Sequence, residues 1–200
     1  MAERLNDLCV RILQLVYLHL LWCVFTMLGL IFFGVGPATY AMYTVQRQWV
    51  RGNMEIPIFS TFWQAYRTNI IESSLIGVFY LVVGIILYTD LLYVQSFGLR
   101  VLLFIISFLY VISLCFIFPI MVHYEWERTT LKLKCSVLFA LSYLQYTLVL
   151  LLAVAAIYIV LLMYPGSLMF FGISLASYTI MWLTHQVFMR IEMQAQLKES

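Results

Sequence analysis

The chain has 200 residues, of which 64% are hydrophobic and only 10% charged, with a net charge of +2. Soluble domains average about 25% charged residues, so water is excluded as the main solvent, and so weak a positive charge excludes a nucleic-acid partner. The length suits one integral membrane domain over 1–200 and is too short for a bundle plus a separate soluble enzyme domain.

The first apolar run starts after Arg11, and no Asp, Glu, Lys or Arg follows until Arg47. As one helix it would be about 52 Å long, against a hydrocarbon core of about 30 Å. Proline removes a backbone donor and clashes one turn back, so Gly34-Val35-Gly36-Pro37 is the expected break and span one is placed at 12–35. Proline also suits a helix start. From there Ala38, Met42, Val45 and Trp49 share one face, with Tyr40, Thr44, Arg47, Gln48 and Arg51 opposite. This predicts an amphipathic helix over 38–51, lying in the membrane interface with Trp49 at headgroup depth or packed as a short helix on the bundle.

Arg51-Gly52-Asn53 ends that helix and Pro57 marks a loop. Phe59, Phe62, Trp63, Tyr66 and Ile70 recur at helical spacing, with Gln64, Arg67 and Thr68 on other faces, which predicts a second amphipathic segment over 58–72. Span two follows at 74–93, with Ser73, Gly77 and Gly84 as a small-residue stripe of the kind that lets helices approach closely. Span three is placed at 101–122 and kinked by Pro119. Between Lys134 and Arg190 there is no formal charge, and only Tyr164-Pro165-Gly166 interrupts the run, giving spans four (136–163) and five (167–188). Gly172, Ala176 and Thr179 form a stripe on span five, and 190–200 reads as a polar helical continuation that frays.

The fold class is therefore all-α: a polytopic membrane helix bundle of about five transmembrane helices, with one or two interfacial amphipathic helices after the first. Arg4, Arg11 and Arg100 fall on one side; Arg47, Arg51, Arg67, Arg128, Lys132, Lys134, Arg190 and Lys198 fall on the other. Positive charge marks the cytoplasmic side, so the amino terminus is expected outside and the carboxyl terminus inside.

Cys9, Cys23, Cys115 and Cys135 show no CxxC spacing and read as reduced packing residues. No nucleotide, nucleophile-elbow or zinc-protease motif occurs, so no cofactor is implied. His123 and Glu127 share a helical face and could hold a metal; a solvated ion-paired cluster with Glu125 and Arg128 is the plainer reading, and no metal is expected. An enzyme would have to use His19, His123 or His185.

The run from Gly34 to Gly77 resembles the signature of the YesL-like family of bacterial membrane proteins, a group of unknown function. The matching positions are Gly34, Gly36, Pro37 and Ala38, then Arg47, Trp49, Arg51 and Gly52, then Ile56, Pro57, Phe59, Thr61, Phe62 and Trp63. Phe118-Pro119 and the phrase Phe171 to Tyr178 also match, while Ile120 to Glu125 departs from the family's P-L-L-A-R-F. The resemblance implies a multi-span protein of the bacterial cytoplasmic membrane, encoded near carbohydrate uptake and breakdown genes. It points to a non-enzymatic accessory component of oligosaccharide uptake whose loops dock a transporter subunit through Arg47, Trp49, Arg51, Trp63 and Arg67. Self-association through the small-residue stripes, or a small carrier, is the alternative.

Overall fold

In the computed structural model, which describes residues 2–124 and 129–199, the described residues are helical with no strand. The helices are α1 (Ala2–Leu28), α2 (Val35–Val50), α3 (Ile58–Thr68), α4 (Ile70–Tyr93), α5 (Phe97–His123), α6 (Thr129–Ser142), α7 (Leu144–Met163), α8 (Pro165–Phe171) and α9 (Ser174–Glu199).

Among the described residues, four segments are long and apolar enough to cross a bilayer: Cys9–Leu28, Ile70–Tyr93, Phe97–His123 and Leu144–Met163. Large apolar side chains on them stay exposed, such as Ile71 at 75%, Phe104 at 61% and Leu152 at 71%. So much uncovered hydrocarbon calls for lipid rather than water. The region expected as span four divides at Tyr143 into α6 and α7. The region expected as span five divides at Gly172–Ile173 into α8 and α9.

The first break falls earlier than the sequence suggested. Helix α1 stops at Leu28, and Leu30 and Ile31 have φ of 57° and 62°. The amide of Ile31 donates to the Thr26 carbonyl (2.9 Å) and that of Leu30 to Met27 (3.1 Å). That is a Schellman end, with a leucine where glycine is usual, so Gly34 and Pro37 open the next helix rather than close the first. A β-carbon on Gly29 or Gly34 would run into the facing glycine, and this close approach folds α2 back along α1.

Helix α2 is the centre of the bundle and packs against α1, α3, α4, α5 and α9. Its Ala38, Ala41, Met42, Val45 and Trp49 join Leu18, Leu21, Phe25, Phe62 and Tyr66 in one core. Its Tyr43 belongs to a second core with Ile76, Tyr80, Phe116, Phe118, Met181 and Phe188. Thus α2 is enclosed rather than laid on a surface, and Trp49 is only 4% exposed. The physical reason is that its polar face meets protein instead of water. Gln46 and Arg47 bond to neighbouring helices, and the Tyr43 ring stacks 6.1 Å from Phe118. Helix α3 keeps the amphipathic character: Phe62, Ala65 and Tyr66 face inward while Phe59 and Trp63 stay exposed.

Apolar burial stabilises such a bundle little, because lipid tails are as apolar as a core. Close packing and interhelical hydrogen bonds take over. The tightest approach is between α2 and α4, where Gly36 meets the Ser73 backbone and Gly77 meets Gly36.

Candidate functional site

The structure divides the candidate residues into an interior group and a surface group. Gly36, Pro37, Trp49 and Phe62 lie inside. Arg51, Trp63 and Arg67 lie outside, Arg51 as the C-cap of α2. Pro57 is the exposed N-cap of α3. Gly52 supplies the left-handed residue (φ 93°) that ends α2, with Asn53 donating to the Gln48 carbonyl at 3.0 Å.

Arg47 joins two helices. Its Nη1 donates to the Val122 carbonyl (2.7 Å) and its Nη2 to the His123 carbonyl (3.3 Å), which places a cation on the C-terminal end of α5. Its neighbour Gln46 is fully buried and donates to the Ser174 carbonyl (3.0 Å) and Ser177 Oγ (2.8 Å), which fixes α2 to α9. Burial pushes the Tyr43 phenol well above its ordinary range and raises that of Tyr66, so both act as neutral rings.

On the surface, the Arg67 guanidinium lies 5.6 Å from the centre of the Trp63 ring. With Gln64 and Thr68 they line an open hollow of about 420 Å³. Phe59, Trp63 and Arg67 are four apart in sequence and form one stripe on α3.

Two clusters have no counterpart in the sequence reading. In one, Lys132 Nζ meets Glu72 Oε1 at 2.7 Å, and Thr129 Oγ1 donates to the same oxygen at 3.2 Å. In the other, the Tyr80 hydroxyl, Ser113 Oγ and Ser136 Oγ lie in a file at 2.5 and 2.9 Å, and Ser136 donates to the Leu133 carbonyl. Glu72 and Tyr80 share a face of α4, and Lys132 and Ser136 share a face of α6. Helical spacing was thus a usable signal within each helix. The pairing across helices was not visible, because Lys132 sat among surface charges in the sequence.

Ser73 and Gly77, expected to offer a self-association stripe, are occupied by α2 within the chain, and Gly84 lies against the Tyr110 hydroxyl. His19 and Cys23 approach within 3.7 Å inside α1, and His123 lies beside His185 with ring centres 6.1 Å apart. No group of three or more His, Cys, Asp or Glu able to hold a metal occurs among the described residues. Glu125, Glu127 and Arg128, weighed as a metal or ion-pair cluster, fall outside them.

Among the described residues, four bilayer-length apolar helices, of which α1, α4 and α5 pack on an enclosed, glycine-packed α2, define a polytopic helical membrane protein. Residues 15–91 match the family model described as "Protein of unknown function, DUF624". The chain is 39% identical over 194 residues to the uncharacterized protein YteU of Bacillus subtilis (strain 168), covering 94% of this chain and 87% of YteU. It is 29% identical over 203 residues to the uncharacterized protein YesL of the same organism, covering 99% of this chain and 95% of YesL. The chain therefore belongs to this YesL-like family. No solved structure matches it.

Proposed function

We propose that the chain is a non-enzymatic accessory component of oligosaccharide uptake in the bacterial cytoplasmic membrane, and that it docks a transporter subunit. The observation that carries this reading is the Phe59–Trp63–Arg67 stripe. It is an exposed aromatic and cationic face on a helix that is not one of the four apolar spans. Tryptophan and arginine are the residue types that dominate protein interfaces. Arg51 lies exposed at the end of α2, ahead of α3. The link to oligosaccharides rests on the family resemblance.

In this reading the carboxyl terminus is inside, with 167–188 as a fifth crossing; the lysine and arginine count puts the amino terminus outside, whereas Arg11 shares a cleft with Trp49 and Met54, next to Arg51 of the inner count. Terminal tags probed for protease access in right-side-out vesicles check that orientation.

Two measurements check the role. Deleting the gene should slow uptake of an oligosaccharide, and purification in mild detergent should retain a transporter subunit. Unchanged uptake across an oligosaccharide panel, together with no co-purifying subunit, would remove the reading.

A further inference from the structure

Four separate segments converge on a cleft at the start of the first apolar span. Its inner cavity, about 110 Å³, is lined by Arg11, Gln14 and Leu15 of α1, Trp49 of α2, Met54 of the following loop and Tyr178 of α9. An outer chamber of about 290 Å³ shares Arg11, Gln14 and Met54 and adds Val10 and Glu55. Gln14 Nε2 points to the Met54 carbonyl at 3.5 Å across the cleft.

Three features specify an occupant. First, place: Arg11 and Gln14 lie in the first two turns of the span Cys9–Leu28, where a bilayer keeps its headgroups. Second, charge: the rim carries one cation, Arg11, and one anion, Glu55. The two line the same outer chamber, so both charges face one occupant. Third, the floor: Leu15, Met54, Trp49 and Tyr178 are largely apolar, which suits the glycerol and acyl region below a headgroup.

We propose that this cleft binds a zwitterionic phospholipid with a primary ammonium headgroup. Arg11 takes the phosphate, Glu55 accepts from the ammonium, and the glycerol ester region enters the inner cavity. A purely anionic lipid would satisfy Arg11 and meet repulsion at Glu55. A quaternary amine would keep the charge and lose the N–H donors to Glu55.

The test is native mass spectrometry of the delipidated full chain in maltoside detergent. The chain is titrated with phosphatidylethanolamine, phosphatidylglycerol, phosphatidylcholine and a soluble disaccharide. Phosphatidylethanolamine should bind about tenfold more tightly than the other two lipids, the effect of one charge-assisted hydrogen bond. Arg11→Gln should weaken all three lipids. Glu55→Gln should lower phosphatidylethanolamine to the phosphatidylcholine level. Both side chains are exposed, so folding is not at issue. Leu15→Phe, which fills the inner cavity, should weaken all three lipids with the rim intact. Phosphatidylglycerol binding as well as phosphatidylethanolamine overturns the proposal. So does unaltered binding in the Arg11→Gln and Leu15→Phe variants, or displacement of lipid by the disaccharide.

Discussion

Gly36 of α2 and Gly77 of α4 meet backbone to backbone: a β-carbon on Gly77 would lie 2.8 Å from the Gly36 Cα. Neither helix can carry a side chain at the crossing without separating. Overpacking of this kind costs about 1–3 kcal/mol. Gly77→Ala and Gly36→Ala should each lower the thermal midpoint in detergent. Gly98→Ala is the matched control, since a β-carbon there meets nothing within 4 Å, and alanine is the better helix former, so it should not lower the midpoint.

The bond pair from Gln46 to Ser174 and Ser177 makes a second prediction. Hydrogen bonds between membrane helices contribute about 0.6 kcal/mol on average and up to about 1.7. Gln46→Leu keeps the volume and removes both donors, so it should cost about 1–2 kcal/mol. Ser177→Ala should cost less, because the Ser174 carbonyl still accepts. Equilibrium unfolding in mixed micelles gives the order of the two.

The Glu72–Lys132 pair is asymmetric. The Lys132 side chain is 5% exposed and that of Glu72 is 25% exposed. Removing one partner of a buried pair costs about 3–5 kcal/mol, because the remaining charge is stranded. Glu72→Ala should therefore destabilise more than Lys132→Ala, whose remaining carboxylate keeps some contact with solvent. The double variant should be less damaged than the sum of the two. A double-mutant cycle on unfolding free energies reads the coupling, and strict additivity would count against the pair.

Arg51→Ala and Arg67→Ala alter exposed side chains and should change stability by no more than about 0.5 kcal/mol, whereas the Trp63 ring also packs 5.5 Å from that of Phe25. In the proposed role the two arginine variants should still lose the co-purifying transporter subunit and slow uptake. Stability that falls along with uptake would instead assign the stripe to folding.

Much of the fold was legible because it follows from apolar run length. The charge-free stretches from Arg11 to Arg47 and from Lys134 to Arg190 require lipid and helices. The positions of breaks were less legible. A glycine and proline cluster at 34–37 looked like a helix end, whereas the actual end uses Leu30 and Ile31 in left-handed geometry, for which neither residue type is a signal. The amphipathic stripe of α2 is visible as a pattern, but amphipathicity does not say whether the polar face meets water or other helices. Arg47 meets the carbonyl end of α5 and Gln46 meets α9, partners 75 and 128 or more residues away. The same long range hid Glu72 from Lys132. It also hid Arg11 from Trp49, because the cleft exists only once α1 and α2 lie side by side.

Helix α2 is the enclosed centre of the bundle rather than a helix resting on the membrane surface. Hydrogen–deuterium exchange of the full chain in lipid nanodiscs tests this most directly. Amides of residues 38–49 should be protected as strongly as those of α4 and α5, and clearly more than residues 58–68 of α3. Exchange over 38–49 as fast as that over 58–68 would contradict it.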